Sequence, residues 1–273
     1  MSSTDGESSL ARSPKQASFT TLPWDGGRKV RLPQLHMQRL RDHCQQLGIT
    51  WPDDFAEQLE RALQTLSPDD SGAQECNQLS QPAALLRVEV NDNGVVELAG
   101  RPCAETKRDV AGITHPAPRF DTTIQGMKHA DWQSYYDSGL AARQANTDVA
   151  LLIHDGAVID GDRATPMLLD QDGVAWLSSP ELGGVHSTTV EFLLDALDNA
   201  GIPLQYGRLT APMLAQAREV VMVGSGVVAV NLVEVDGQPL ANSSSILQPM
   251  FQTTIEKAGW VDFSNWIEVL RCA

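Results

Sequence analysis

Two short segments of this sequence carry side chains that could do chemistry together. Gly126–Trp132 contains Lys128, and Val158–Gly161 contains Asp160. A lysine amine can form an imine with a carbonyl compound and can later move a proton, above all where desolvation lowers its pKa. On local sequence alone, however, Lys128 reads as a solvated lysine at a helix start. Asp160 reads equally well as a turn residue before a glycine.

A glycine-rich segment, Gly224–Ala229, fits the GxGxxA pattern of dinucleotide-binding folds. That fold needs a helix opening on the second glycine and an acidic residue about twenty positions later. Here the β-branched run 227–235 predicts a strand, and the expected acidic position falls among the small residues 241–245. We therefore reject a dinucleotide site. Gly224 and Ser225 remain candidates for a phosphate cradle of backbone N–H and hydroxyl groups.

Four segments, taken in order, resemble the class IV (fold type IV) enzymes that depend on pyridoxal phosphate. They are His36-Met37-Gln38-Arg39-Leu40, Asp160-Gly161 followed by Thr165, Gly184-Val185-His186, and Gly224-Ser225. The first is similar to the family's phosphate-binding helix, the second to its Glu-Gly-x-x-Ser-Asn segment, the third to its Gly-Ile-Thr turn, and the last to its second phosphate contact. The collinear order, over about Phe19 to Gly237, carries the resemblance.

The resemblance implies roles for the first two candidates. Lys128 would bind pyridoxal 5'-phosphate as a Schiff base and would then move the α-proton of the substrate. Asp160, which stands where the family usually has Glu, would keep the pyridine nitrogen protonated so that the ring can accept carbanion charge.

The resemblance also implies how the phosphate and the substrate would be bound. The phosphate contacts would come from Arg39, Val185, His186, Gly224 and Ser225. The hydroxyl of Thr21, or that of its neighbour Thr20, would help protonation in a lyase. Arg87 and Arg163 are candidates for binding a substrate carboxylate.

Within the family, Phe19-Thr20-Thr21 and the run from His36 to Leu47 look most like aminodeoxychorismate lyase. That enzyme eliminates pyruvate from 4-amino-4-deoxychorismate and leaves 4-aminobenzoate, a precursor of folate. An aminotransferase acting on D-amino or branched-chain amino acids is the alternative. A further alternative is a non-catalytic relative. It is motivated by three departures from the family pattern: Asp160 stands in place of Glu, Thr165 in place of Asn, and Ser187 in place of the Arg that usually follows the Gly-Ile-Thr turn. The resemblance implies a homodimer and a small-molecule amino substrate.

The elements that must position these residues predict a mixed α/β (α+β) fold. Helices are predicted over 35–47, 52–66, 132–145, 188–200 and 246–257, and a short one over 213–217, with short strands between them and a hairpin over 85–98. The two prolines of Thr114–Asp121 predict a link between two lobes, and the resemblance implies what those lobes are. Residues 1–18 would be a disordered tail, 19–120 a small N-terminal α/β domain, and 121–273 a larger, barrel-like domain that binds the cofactor.

Composition narrows the functional classes. A formal net charge of −15 argues against binding to nucleic acid or to an anionic membrane. No apolar run reaches membrane-spanning length, and the N-terminus lacks the apolar core of a secretory signal, so we expect a cytoplasmic protein. Four cysteines and six histidines show no metal-ligand spacing, so no metal is expected.

Overall fold

The computed structural model describes residues 12–66, 82–103 and 109–272 and arranges them around two β-sheets. The strands are β1 (Ala17–Trp24), β2 (Lys29–Val30), β3 (Ala84–Asn91), β4 (Val96–Pro102), β5 (Asp109–Pro116), β6 (Val149–His154), β7 (Ala157–Gly161), β8 (Thr165–Leu169), β9 (Ala175–Ser178), β10 (Leu204–Gly207), β11 (Leu209–Thr210), β12 (Glu219–Gly224), β13 (Val228–Val235), β14 (Gln238–Pro239) and β15 (Val261–Asp262).

The helices agree with the predicted ones, including the short helix predicted over 213–217, and add one, the last of the chain. They are α1 (Pro33–Leu47), α2 (Phe55–Thr65), α3 (Gln133–Gln144), α4 (Thr188–Asn199), α5 (Ala211–Gln216), α6 (Leu247–Ala258) and α7 (Phe263–Cys272). Helix α1, which matters most for the site, ends at Gly48 as predicted. Gly48 adopts φ 74° and donates its N–H to the carbonyls of Cys44 and Gln45. Glycine suits this left-handed cap because it has no Cβ to clash.

The smaller sheet has the strand order β15-β2-β1-β3-β4 and is antiparallel throughout. The predicted hairpin over 85–98 is confirmed as β3 and β4. Helix α1 packs against β1, and α2 packs against β4. The buried apolar residues between them include Leu22, Trp24, Leu40, Leu59 and Leu86.

The larger sheet has ten strands, in the order β10-β9-β8-β12-β13-β5-β6-β7-β11 with β14 beside β13. At one end β11 pairs with β7, and it also contacts β9 near the other end. The two ends of the sheet therefore approach each other, which agrees with the predicted barrel-like lobe. Helices α4 and α6 cover one face, where Leu193, Leu197 and Phe251 are buried against β8 and β12.

The structure departs from the predicted domain boundaries at three places. The proposed link at Thr114–Asp121 begins inside β5. This is an interior strand of the larger sheet because it pairs with β13 on one side and β6 on the other, and its proline comes only at its end. Strand β15 and helix α7 return to the smaller sheet. In the predicted tail, 1–11 lie outside the described residues, whereas Pro14–Gln16 form a 3-10 turn and β1 begins at Ala17.

The glycine-rich segment that could suggest a dinucleotide site is a hairpin. Strands β12 and β13 pair antiparallel, with Gly224 opposite Val228, and residues 225–227 form the turn between them. No helix opens at the second glycine, so the rejection of a dinucleotide fold is confirmed.

Candidate active site

Lys128 lies in the loop between β5 and α3, and its backbone is fixed by the smaller lobe. Its carbonyl accepts hydrogen bonds from the N–H of Phe19 (3.2 Å) and the hydroxyl of Ser18 (2.9 Å). Its N–H donates to Nδ1 of His43 on α1, at 3.2 Å. A loop residue is therefore held from two sides, by β1 and by α1.

The amine of Lys128 lies among aromatic rings. Nζ is 4.5 Å from the ring centroid of Trp132 and 5.2 Å from that of Phe19, and these two rings meet edge to face at 5.1 Å. Burial, followed by the positive charge of Arg39, lowers the pKa of Lys128 to about 7, although the charge of Asp160 acts in the opposite direction. A large fraction of the amine is therefore unprotonated near neutral pH, as a nucleophile or base requires.

Asp160 lies near the end of β7 and is 4% exposed. Its Oδ1 accepts from the N–H of Gly161 (2.9 Å) and from the hydroxyl of Thr165 (3.3 Å), and its Oδ2 accepts from the N–H of Val185 (2.9 Å). Burial raises the pKa of this carboxyl to about 6, against the effect of these bonds and of Lys128. Oδ2 retains acceptor capacity for one further donor.

The turn at 183–186 presses against β7. A Cβ on Gly184 would lie 2.3 Å from the carbonyl oxygen of Ile159, so only glycine permits this approach. The resemblance predicts that Val185 contacts the phosphate. In the structure, the N–H of Val185 donates to Oδ2 of Asp160. The structure thus gives Val185 a part in holding the carboxylate.

Arg39 projects from α1 into the space between the two lobes and is 7% exposed. Nη1 donates to the backbone carbonyl of His186 (2.9 Å), and Nη2 donates to the hydroxyl of Thr20 (2.7 Å). Nε is buried and has no hydrogen-bond partner among the described residues. Burial lowers the pKa of Arg39 to about 10, which leaves the guanidinium charged.

The remaining predicted phosphate contacts differ in how they are placed. His186 contributes its carbonyl to Arg39, while its imidazole is exposed and lies 3.8 Å from Glu191. Gly224 ends β12 and packs closely on the backbone of the β7–β8 turn, because a Cβ there would lie 3.1 Å from the carbonyl of Arg163. Ser225 begins the following turn and is partly buried.

Thr20 and Thr21 face opposite sides of β1. Thr21 pairs with Arg87 across β1 and β3, and Phe19 pairs with Glu89, so these four side chains share one face of the sheet. This face borders the Lys128 amine, because the ring centroid of Phe19 lies 5.2 Å from Nζ. Thr20 points the other way and is occupied by contacts with α1.

The two arginines predicted for a substrate carboxylate lie in different places. Arg87 sits 3.6 Å above the Phe19 ring, is bonded to Glu89, and donates to the hydroxyl of Tyr136 at 3.2 Å. Its charge acts on Lys128 and lowers the lysine pKa, as does that of Arg101, a residue that the sequence did not single out. Arg163 instead pairs with Asp162 at 2.9 Å, on the side of α3.

Two further residues escaped the sequence analysis. His36 and His43 lie on the same buried face of α1 as Arg39, and both contact the site. The available signal was the spacing of polar residues, at positions 36, 39 and 43, along the face that the apolar pattern predicts to be buried.

The geometry also bears on metal binding and on membrane insertion. Within residues 12–66, 82–103 and 109–272, no group of three or more His, Cys, Asp or Glu side chains is arranged to hold a metal ion. Over the same ranges, no helix combines the length and the apolar character that crossing a membrane would require.

Comparison with known proteins supports one enzyme class. The sequence profile of the family described as amino-transferase class IV matches residues 17–235. The branched-chain aminotransferase of the archaeon Thermoproteus uzoniensis, solved with norvaline, superposes with a TM-score of 0.71 at 19% identity, over 91% of this chain and 90% of that one. A hypothetical aminotransferase from Mycobacterium tuberculosis in its PLP-bound form gives 0.68 at 18% identity, over 91% and 90%.

A third solved structure, of a protein provisionally named 4-amino-4-deoxychorismate lyase, gives a TM-score of 0.67 at 26% identity, over 88% of this chain and 90% of that one. A comparison with curated protein sequences found no significant match.

Proposed function

This chain belongs to the class IV aminotransferase family, and from that premise we propose that it is a 4-amino-4-deoxychorismate lyase. Members of the family are pyridoxal-phosphate-dependent transaminases or lyases, so the chain is a pyridoxal-phosphate-dependent enzyme that acts on a small amino compound. The proposal includes a cytoplasmic location, as expected from the sequence, and a homodimer, as the family resemblance implies.

The side chains of the site fit the cofactor. The Lys128 amine has the low pKa that covalent attachment to an aldehyde needs, and Oδ2 of buried Asp160 can accept a hydrogen bond from a protonated ring nitrogen. Arg39 offers a buried Nε–H that has no partner within the described residues, as a site for an anionic oxygen would. Pyridoxal phosphate, when bound, supplies an aldehyde for the substrate amine and a ring that stabilises carbanion charge.

The protein groups would then divide the reaction between them. The unprotonated amine of Lys128 takes the proton from the amine-bearing carbon of the substrate. The carbon–oxygen bond to the enolpyruvyl group breaks, and the departing fragment accepts a proton at its methylene carbon and becomes pyruvate. The aromatic rings of Phe19 and Trp132 exclude water beside Nζ and keep the amine a competent base.

The position of Thr21 is the observation that carries the choice of a lyase. Its hydroxyl lies on the same face of the sheet as Phe19 and is free of the contacts that occupy Thr20. A hydroxyl on that face could deliver the proton that the departing fragment needs. Arg87, on the same face, could bind a carboxylate of the substrate.

An aminotransferase on D-amino or branched-chain amino acids is the second candidate. The likeness to the branched-chain enzyme of Thermoproteus uzoniensis favours it, and Lys128, Asp160 and Arg39 would serve either reaction. The two reactions diverge after the shared proton abstraction, because a transaminase must hand the amino group to a 2-oxo acid.

The first experiment tests the cofactor and its lysine. The protein is incubated with pyridoxal phosphate, reduced with borohydride, and mapped by peptide mass spectrometry. We expect one reduced adduct, on Lys128, which Lys128→Met abolishes and the exposed-site control Lys257→Met does not. Adducts scattered over surface lysines would instead indicate a non-catalytic relative.

The second experiment separates the two reactions. The holoenzyme is given 4-amino-4-deoxychorismate with no 2-oxo acid, and 4-aminobenzoate and pyruvate are measured. We expect equal amounts of the two products, and a loss of roughly 100-fold or more in rate for Thr21→Val, the range typical of general acid catalysis. If turnover required 2-oxoglutarate, the protein would be an aminotransferase and the lyase assignment would be wrong.

A further inference from the structure

A chain of buried polar side chains leads away from Arg39 and crosses between the lobes. Nη2 of Arg39 is 2.7 Å from Oγ1 of Thr20, which is 2.8 Å from Nδ1 of His36. Nε2 of His36 is in turn 3.2 Å from Oγ1 of Thr188, the first residue of α4. Thr20 and His36 are fully buried, and Thr188 is 1% exposed.

The chemistry of the groups gives this chain a consistent direction. A guanidinium can only donate, so Thr20 accepts from Arg39 and can donate its own hydroxyl proton. We assign that donation to Nδ1 of His36, 2.8 Å away. With this assignment the single proton of the neutral imidazole lies on Nε2 and is donated to Thr188. Burial, and the nearby charges of Arg39 and Lys128, lower the His36 pKa well below its usual value and keep the ring neutral.

We propose that Thr20, His36 and Thr188 are positioning residues that hold Arg39 ready for the cofactor phosphate. The proposal rests on the pyridoxal-phosphate dependence of the proposed function and does not depend on the choice between lyase and aminotransferase. Both Nη atoms of Arg39 are anchored, Nη1 by His186 of the larger lobe and Nη2 by Thr20 of the smaller one. The guanidinium plane is therefore set before the phosphate arrives, and little side-chain entropy is lost on binding.

Comparing two ligands isolates this role from a general structural one. Pyridoxal 5'-phosphate and pyridoxal form the same adduct with Lys128, but only the first carries a phosphate. For Thr20→Val, which keeps the shape of the side chain, we expect the affinity for the phosphate-bearing ligand to fall roughly 10-fold to 100-fold, the range for losing one hydrogen bond to a charged group. The affinity for pyridoxal should change by no more than about twofold.

Three further variants make the test decisive. Thr20→Ser, which restores the hydroxyl, should recover the wild-type ratio of the two affinities, and Thr254→Val in α6 should leave that ratio unchanged. In an Arg39→Gln background, Thr20→Val should add almost nothing, because its effect acts through the guanidinium.

The affinities are measured by absorbance titration, with no need for turnover. Equal weakening of both ligands by Thr20→Val would overturn the proposal, and so would a full effect that persists without Arg39. If the wild-type protein binds neither ligand at Lys128, the proposed function fails as well. If Thr20→Val binds both ligands tightly and the ratio of the two affinities is unchanged, only the positioning role is contradicted.

Discussion

Lys128 is flanked by two charges that act on its amine in opposite directions. Burial is the main reason that its pKa falls to about 7; Arg39 lowers it further, and Asp160 raises it. Removing a cation favours the ammonium form, so Arg39→Gln should raise the Lys128 pKa. Asp160→Asn removes an anion and should lower it. Competitive labelling of the amine against pH, read by mass spectrometry on the apo protein, measures both shifts.

The exposed arginine Arg208 gives the control for that pair. Arg208→Gln removes the same charge from a residue that pairs with Asp155 and is not among the charges that shift the Lys128 pKa, so it should leave the labelling curve in place. If Arg39→Gln and Asp160→Asn shifted the curve in the same direction, the account of opposed charges would be contradicted.

His43 should make the fold sensitive to acid. Burial, assisted by the nearby charges of Arg39 and Lys128, lowers the pKa of His43 from 6.5 to about 3. Between these values the unfolded chain binds a proton that the folded chain does not, so stability is lost as the pH falls below 6.5. By pH 4 the loss should reach about 3 kcal/mol. Urea unfolding at pH 7 and pH 4 measures it.

The comparison variant is His43→Asn, which keeps an acceptor oxygen for the Lys128 N–H and removes the titrating group. It should lose less free energy of unfolding than the wild type over the same pH range, by the amount given above. His154→Asn, at an exposed position, should behave as the wild type does. An unchanged pH dependence in His43→Asn would contradict the assignment.

One carboxylate on β12 is hydrogen-bonded to the start of α6. Fully buried Glu219 accepts from the N–H groups of Ile246 (2.6 Å), Leu247 (2.8 Å) and Gln248 (2.9 Å). These are N–H groups that a helix start leaves without intrahelical partners. Glu219→Gln should lower the free energy of unfolding by about 2 kcal/mol, as loss of charge-assisted bonds does.

Urea unfolding measures this loss, and Glu268→Gln, at an exposed position of α7, is the matched control with an expected change within about 0.5 kcal/mol. Equal stabilities for the Glu219 variant and the wild type would mean that the cap contributes nothing.

Most elements could be predicted because their signals are local. The apolar spacing and Gly48 are sufficient to define α1, and the alternation around residues 91–94 is sufficient to define the hairpin. Strand β5 could not be recognised, because its parallel partners β6 and β13 are distant in sequence and its prolines suggest a link. The contact between His43 and Lys128 joins residues 85 positions apart, and no local pattern in either segment predicts it.

Strand β15 and helix α7 complete the smaller lobe: β15 extends its sheet and α7 adds to its core. Trp266 of α7 is 1% exposed and packs in the same core as Leu22 and Trp24, and Arg271 forms an ion pair with Glu60 of α2. The sequence alone predicts no element here, because the apolar face of this segment has no partner nearby in the chain. The N-terminal lobe therefore depends on residues from both ends of the sequence.

Trp266→Ala tests this dependence. Removing a large buried side chain typically costs 3–5 kcal/mol, so we expect a loss of about that size. Val269→Ala, at a position that is 46% exposed, should change stability by less than about 0.5 kcal/mol. Urea unfolding followed by tryptophan fluorescence and by circular dichroism measures both. A Trp266 variant as stable as the wild type would mean that the packing of α7 contributes nothing to the free energy of unfolding.

The return of α7 and β15 also bears on the order in which the chain can fold on a ribosome. Strands β1 to β4 emerge early, but β2 lacks its outer neighbour and the core lacks Phe263 and Trp266 until residues 261–266 leave the exit tunnel. The larger sheet, whose strands all precede residue 240, can form first. The lobe synthesised first is therefore the one completed last, and until then its apolar surface is a target for chaperones.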